Sequence, residues 1–224
     1  NSKKLWQNMI STNLQNRFYT SLILISLFLL ILNSNLFLVY SLIVCGVFAI
    51  IEFINLIKKI KIHFLLRYFI NILFIFYIFT FCFYFFLFLN IAGLKIILII
   101  LISACIASDI GGFLFGKILK GPKLTKISPN KTYSGSLGSL ILSSLVVLFF
   151  CFLFGIALNF KIFCIAIFTS IFCQLGDLIF SFLKRKAKVQ DTGNILPGHG
   201  GLLDRIDGLL LGVPFGFIFF IILN

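Results

Sequence analysis

The residues with chemistry in them crowd into one stretch, Ser181 to Asp207, SFLKRKAKVQDTGNILPGHGGLLDRID. Lys184, Arg185, Lys186 and Lys188 come first and Asp191 follows. Gly193, Gly198, Gly200 and Gly201 surround Pro197 and His199, and Asp204, Arg205 and Asp207 close the run. Clustered glycines let a backbone turn tightly and approach a ligand, cations and N–H groups suit phosphate, and carboxylates suit a hard divalent metal. Together they ask for a phosphate-rich substrate with Mg²⁺. Asp204 and Asp207 stand three apart, so a helix starting here projects both from one face, where they could share the metal. The KRKAK run alone also reads as a solvated positive loop ahead of an Asp N-cap. That reading leaves GHGG followed by DRID unexplained.

The elements that must hold this stretch lie in a membrane. Of 224 residues 61% are hydrophobic and 11% charged, with a mean hydropathy of +1.17, which excludes an ordinary soluble domain. The apolar runs predict a single all-α domain over 1–224, a polytopic membrane helix bundle of about seven transmembrane helices. The spans fall near 18–33, 36–57, 66–89, 95–116, 136–158, 162–183 and 207–223, the third long enough to tilt or break in two. Seven spans put residues 1–17, 58–65, 117–135 and 184–206 on one side, and with Arg67 these hold 17 of the 19 Lys and Arg. The positive-inside rule makes that side, and the N-terminus, cytoplasmic. Residues 1–17, with Trp6, read as an interfacial arm, and the first run lacks a small-residue cleavage site, so it reads as a retained span. The net charge of +13 then belongs to one face and attracts anionic lipid headgroups and nucleotide triphosphates. All six cysteines sit in apolar runs without a C-x-x-C pair, which predicts apolar packing and neither a zinc site nor a disulfide framework.

Three carboxylates and one glutamine stand out inside the spans: Glu52, Asp109, Asp177 and Gln174. A carboxylate at membrane depth is costly, so it should face the bundle interior with a partner or a function. For Glu52 the expected partner is a cation at the bundle edge. Beside Asp109, Gly111 and Gly112 permit close helix approach. Gly111 to Lys117 also spells G-x-x-x-x-G-K, but Ile118 stands where a P-loop needs Ser or Thr, and no strand precedes it. The loop after it, KILKGPKLTKISPNKTYSGSLGS, is a second polar constellation in which Lys131 and Thr132 suit phosphate oxygens.

The order Ser181-x-x-Lys184-Arg185, Asp191, Pro197-x-His199-Gly200-Gly201-x-x-Asp204-Arg205-x-Asp207 resembles the signature of bacterial phosphatidate cytidylyltransferase, or CDP-diacylglycerol synthase. Ser128-Pro129-x-Lys131-Thr132-x-x-Gly135 resembles that family's SPKKTWEG segment, and the distance from Asp177 to Asp204 matches it. One departure is Gln190, where the family usually carries lysine. The resemblance implies condensation of CTP with phosphatidic acid to CDP-diacylglycerol and pyrophosphate at the cytoplasmic face of the bacterial inner membrane. It implies one or two Mg²⁺ ions on Asp177, Asp204 and Asp207, with Lys184, Arg185, Asp191 and His199 completing the catalytic set. Asp109, Ser128, Lys131, Thr132, Gly200, Gly201 and Arg205 become substrate contacts. The partners implied are CTP, phosphatidic acid, membrane lipid and a second copy in a homodimer, with no nucleic acid. Two rival readings remain: a CTP-dependent polyprenol or phytol kinase, and an ion-coupled transporter using Glu52, Asp109 and Asp177 as a pathway.

Overall fold

A hydrocarbon environment offers backbone groups no water, so long apolar runs satisfy their own N–H and C=O groups by becoming helices. The computed structural model describes residues 26, 34–125, 128, 131–193, 195 and 200–223, and among them six long helices carry the chain. They are α1 (Asn35–Lys58), α2 (Phe64–Asn90), α3 (Ala92–Leu119), α4 (Tyr133–Leu153), α5 (Phe160–Lys186) and α6 (Leu203–Leu223). Each is long and apolar enough to cross a membrane. No β-strand occurs among the described residues, where an isolated bridge pairs Lys123 with Thr132. The all-α class read from the composition is therefore observed. The expected first span, 18–33, and the arm at 1–17 lie outside the described residues apart from Ser26. The long third run is one continuous helix, α2.

Local chemistry sets the ends. α3 stops where Lys120 enters the left-handed region at φ 43°, just before Gly121 and Pro122. After α4, Gly155 takes φ 66°, its N–H donates to the Phe152 carbonyl, and the Ile156 N–H donates to that of Cys151. This is a Schellman closure, which favours glycine at its left-handed position. The G-x-x-x-x-G-K run lies wholly inside α3, so no phosphate-cradling loop forms there.

The chain divides into two compact units. The first contains α1, α2 as far as Phe86, and residues 187–205. Here Phe53 of α1 stacks on Phe74 of α2 with ring centres 3.7 Å apart, and Gly46 lets α2 approach through Ile78 and Cys82. Leu65, Phe69, Ile72, Phe76, Phe79 and Phe83 form an exposed stripe down α2 at helical spacing. Such a stripe suits acyl chains as its solvent.

The second unit contains Leu87–Lys186 and Ile206 onward, and its core includes Ile100, Ala104, Val147, Cys151 and Ala166. Small residues bring its helices together. A Cβ on Gly111 would lie 2.5 Å from the Gly138 carbonyl oxygen, and the Ser139 hydroxyl donates to the Ser108 carbonyl at 2.7 Å. Backbones that close are the membrane's substitute for a hydrophobic drive between helices. Phe172 on Phe215 and Phe168 on Phe219 stack α5 against α6. The cysteines within the described residues are all free thiols.

Candidate active site

In the second unit the polar interruptions meet. Asp109 of α3, Lys131 and Thr132 ahead of α4, and Gln174 and Asp177 of α5 line one cavity of about 270 Å³, together with Ser108, Ser136 and Ser139. The Lys131 ammonium lies 2.9 Å from Asp177 Oδ2, with both side chains partly exposed at the wall. Ser136 donates to Gln174 Oε1 at 2.6 Å, and the Gln174 amide nitrogen faces the Ser136 carbonyl and the Ser170 hydroxyl. Asp109 accepts a weak bond from the Cys173 thiol at 3.7 Å.

Local structure places Lys131. Its N–H donates to the Ser128 carbonyl, its carbonyl receives the Leu124 N–H, and the Tyr133 N–H reaches Pro122. These bonds clamp the two ends of the loop. Thr132 then caps α4, its hydroxyl accepting the Gly135 N–H at 3.1 Å.

Asp207 joins this group through a close crossing of α5 and α6. A Cβ on Gly176 would lie 2.5 Å from the Asp207 carbonyl oxygen, and one on Gly208 would lie 2.8 Å from Asp177 Oδ1. Only glycine fits where these backbones touch. Asp109 and Asp207 both lie within electrostatic reach of Asp177, and Lys184 within reach of Asp207.

In the first unit Glu52, only 3% exposed, meets the 187–205 loop. It accepts the Thr192 hydroxyl at 3.0 Å, the Leu202 N–H at 3.0 Å and the Leu203 N–H at 2.8 Å. Among the described residues, donors of the loop meet Glu52 where the sequence suggested a cation. Asp204 Oδ2 gathers the N–H groups of Thr192 and Gly201 and the same Thr192 hydroxyl. Gly200 takes φ 82° beside the Asp191 carboxylate.

A family model described as the Cytidylyltransferase family matches residues 65–223, well over half the chain. The chain belongs to the cytidylyltransferase family. Curated relatives agree over a shorter stretch. The phosphatidate cytidylyltransferase of Bacillus subtilis (strain 168) is 42% identical over 117 residues, 50% of this chain and 44% of that protein. That of Staphylococcus haemolyticus is 44% identical over 109 residues, 48% of this chain and 42% of the relative. That of Helicobacter pylori (strain J99) is 42% identical over 119 residues, 50% and 42%. The alignment thus spans less than half the length of each of these relatives.

For this cytidylyltransferase-family chain, the structure brings Asp109, Lys131, Thr132 and Asp177 to one cavity and sets Asp207 within electrostatic reach of both Asp177 and Lys184. Ser128 lies in the turn that presents Lys131. Asp191, Gly200, Gly201, Asp204 and Arg205 belong to the first unit, and Arg185 lies exposed at the end of α5. His199 lies outside the described residues. Ser136 and Ser139 join the cavity without having been singled out from the sequence. Their signal was present: hydroxyls and glycines recur along YSGSLGSLILSS at helical spacing.

Proposed function

We propose that this chain carries the site of a phosphatidate cytidylyltransferase, transferring the cytidylyl group of CTP to phosphatidic acid. The observation that carries the reading is the cavity where Asp109, Asp177 and Lys131 meet, inside a chain of the cytidylyltransferase family. The names of the relatives supply the substrates.

In the proposed step an oxygen of the lipid phosphate bonds to the α-phosphorus of CTP, the bond from that phosphorus to the β-phosphate oxygen breaks, and pyrophosphate leaves. A phosphate monoester is largely ionised near neutral pH, so no strong general base is needed. What the site must supply is positioning and charge neutralisation. Lys131 leaves its ion pair with Asp177 for a phosphate oxygen, and Lys184 and Arg185 lower the charge of the approaching nucleotide. The Ser136–Gln174 pair holds the cavity wall polar.

Carboxylate oxygens are the right donors for Mg²⁺. Among the described residues no three His, Cys, Asp or Glu side chains are gathered to hold a metal alone. Mg²⁺ commonly uses one or two carboxylates and completes its shell with water and phosphate oxygens, so the residues fit. Asp177 and Asp207 would hold it, with Asp109 nearby. When bound, it would neutralise phosphate charge. Asp204, whose Oδ2 collects three donors of its own loop, holds that loop in shape.

Charge asymmetry and family likeness support a cytoplasmic site in the bacterial inner membrane and a homodimer. The product tests the reading. Purified protein with phosphatidic acid and Mg²⁺ should move an α-phosphate label from CTP into lipid and leave a γ-phosphate label in pyrophosphate. A γ-label appearing in lipid would identify a kinase instead.

A further inference from the structure

Glu52 is a buried carboxylate in α1, far in sequence from everything it binds. Its two oxygens collect the Thr192 hydroxyl and the N–H groups of Leu202 and Leu203. Those two amides open α6, where the first N–H groups of a helix have no partner in the helix itself. A carboxylate there is favoured by the positive end of the helix as well as by the bonds. α1 therefore supplies from outside the cap that the sequence around Leu202 lacks.

The glycines of the loop are shaped around this carboxylate. A Cβ on Gly193 would lie 2.5 Å from Glu52 Oε1, and one on Gly201 would lie 2.7 Å from Glu52 Oε2 and collide with the Thr192 hydroxyl. Thr192 has one hydroxyl hydrogen and two acceptors, Glu52 Oε2 and Asp204 Oδ2, each at 3.0 Å. Glu52 thus ties Thr192, at one end of the loop, to Leu202 and Leu203 at the other. Closing the neck of a loop removes the closure part of the entropy that a bound substrate would otherwise have to overcome.

We propose that Glu52 is the positioning residue of the loop neck, fixing Thr192 to Leu202 and Leu203 at the start of α6 so that this neck is set before nucleotide arrives. It touches no substrate and acts through Thr192, Leu202 and Leu203. The kinetic half of this inference rests on the cytidylyl-transfer reading; the structural half rests on the hydrogen bonds alone.

Hydrogen exchange and steady-state kinetics on the full chain in detergent, comparing wild type with Glu52→Gln, Glu52→Ala and Thr192→Val, test it. In Glu52→Ala the amides in peptides covering 200–205 should exchange about 10- to 100-fold faster, as expected when buried donors lose their acceptor. Peptides from α4, 133–153, should keep wild-type protection. Glu52→Gln, which keeps one acceptor oxygen, should raise KM for CTP about tenfold with kcat changed less than about threefold, the mark of lost pre-ordering. Combining it with Thr192→Val should cost less than the two changes multiplied, because they break one shared bond. Unchanged protection at 200–205, or equal loss of protection in α4, overturns the proposal; so does a fall in kcat with KM unmoved. If Glu52→Ala does not fold, the Gln and Val variants decide by the same readouts. Absence of CTP turnover in the wild type would sink the cytidylyl-transfer reading and leave the exchange result standing.

Discussion

Lys131 and Asp177 set the charge balance of the cavity, and their ion pair at 2.9 Å is the interaction most open to test one residue at a time. Lys131→Met should lower kcat/KM for CTP by about 10- to 100-fold, the range expected when a charge-assisted bond to phosphate is lost. Because both side chains are partly exposed, the same change should cost little stability, about 1 kcal/mol or less. Kinetics and thermal unfolding in detergent check the two halves. At this scale the sequence was informative wherever a polar residue broke an apolar run. Asp109, Gln174 and Asp177 stood out, and all three line the cavity. Glu52 stood out equally, but its partners did not. They are a hydroxyl and two backbone N–H groups from the far end of the chain, and a backbone donor leaves no residue signature. A cation was therefore the natural expectation, and among the described residues a hydroxyl and two backbone N–H groups meet Glu52 instead.

Helices depend on where glycine lets them touch. On α3, a Cβ at Gly111 would lie 2.5 Å from the Gly138 carbonyl, which as backbone cannot yield, whereas one at Gly93 would meet nothing within 4 Å. Gly111→Ala should therefore destabilise by about 1–3 kcal/mol through overpacking, with loss of turnover, while Gly93→Ala should be neutral or slightly stabilising. Unfolding midpoints of the two variants make the comparison, and equal midpoints would refute it. Helix positions were legible because hydropathy and the polar breaks at 58–63, 120–126 and 186–202 leave little choice. The unbroken α2 was not, since its length alone permitted two shorter helices. Close approach at Gly111 and Gly112 was legible from their small size. The register that sets Gly176 against Asp207 and Gly208 was not, because it depends on how two helices cross.

For the whole molecule, composition fixes a membrane protein and charge predicts its orientation, since seven spans would put 17 of 19 Lys and Arg toward one side. A cysteine placed at Lys123 should react with an impermeant maleimide only from the cytoplasmic face, and one at Lys161 only from outside. The reverse pattern would invert the topology. Family membership was legible in the motif block because glycines, acids and a histidine at fixed spacing are rare in loops that only connect spans. The central claim is that the cavity of Asp109, Lys131 and Asp177 is where the phosphates react. Its most direct test is transfer of the α-phosphate label from CTP to phosphatidic acid by folded Asp177→Asn, beside wild type and at equal Mg²⁺. A fall of at least about 100-fold, with insertion and unfolding midpoint retained, is predicted. Transfer at the wild-type rate would contradict it.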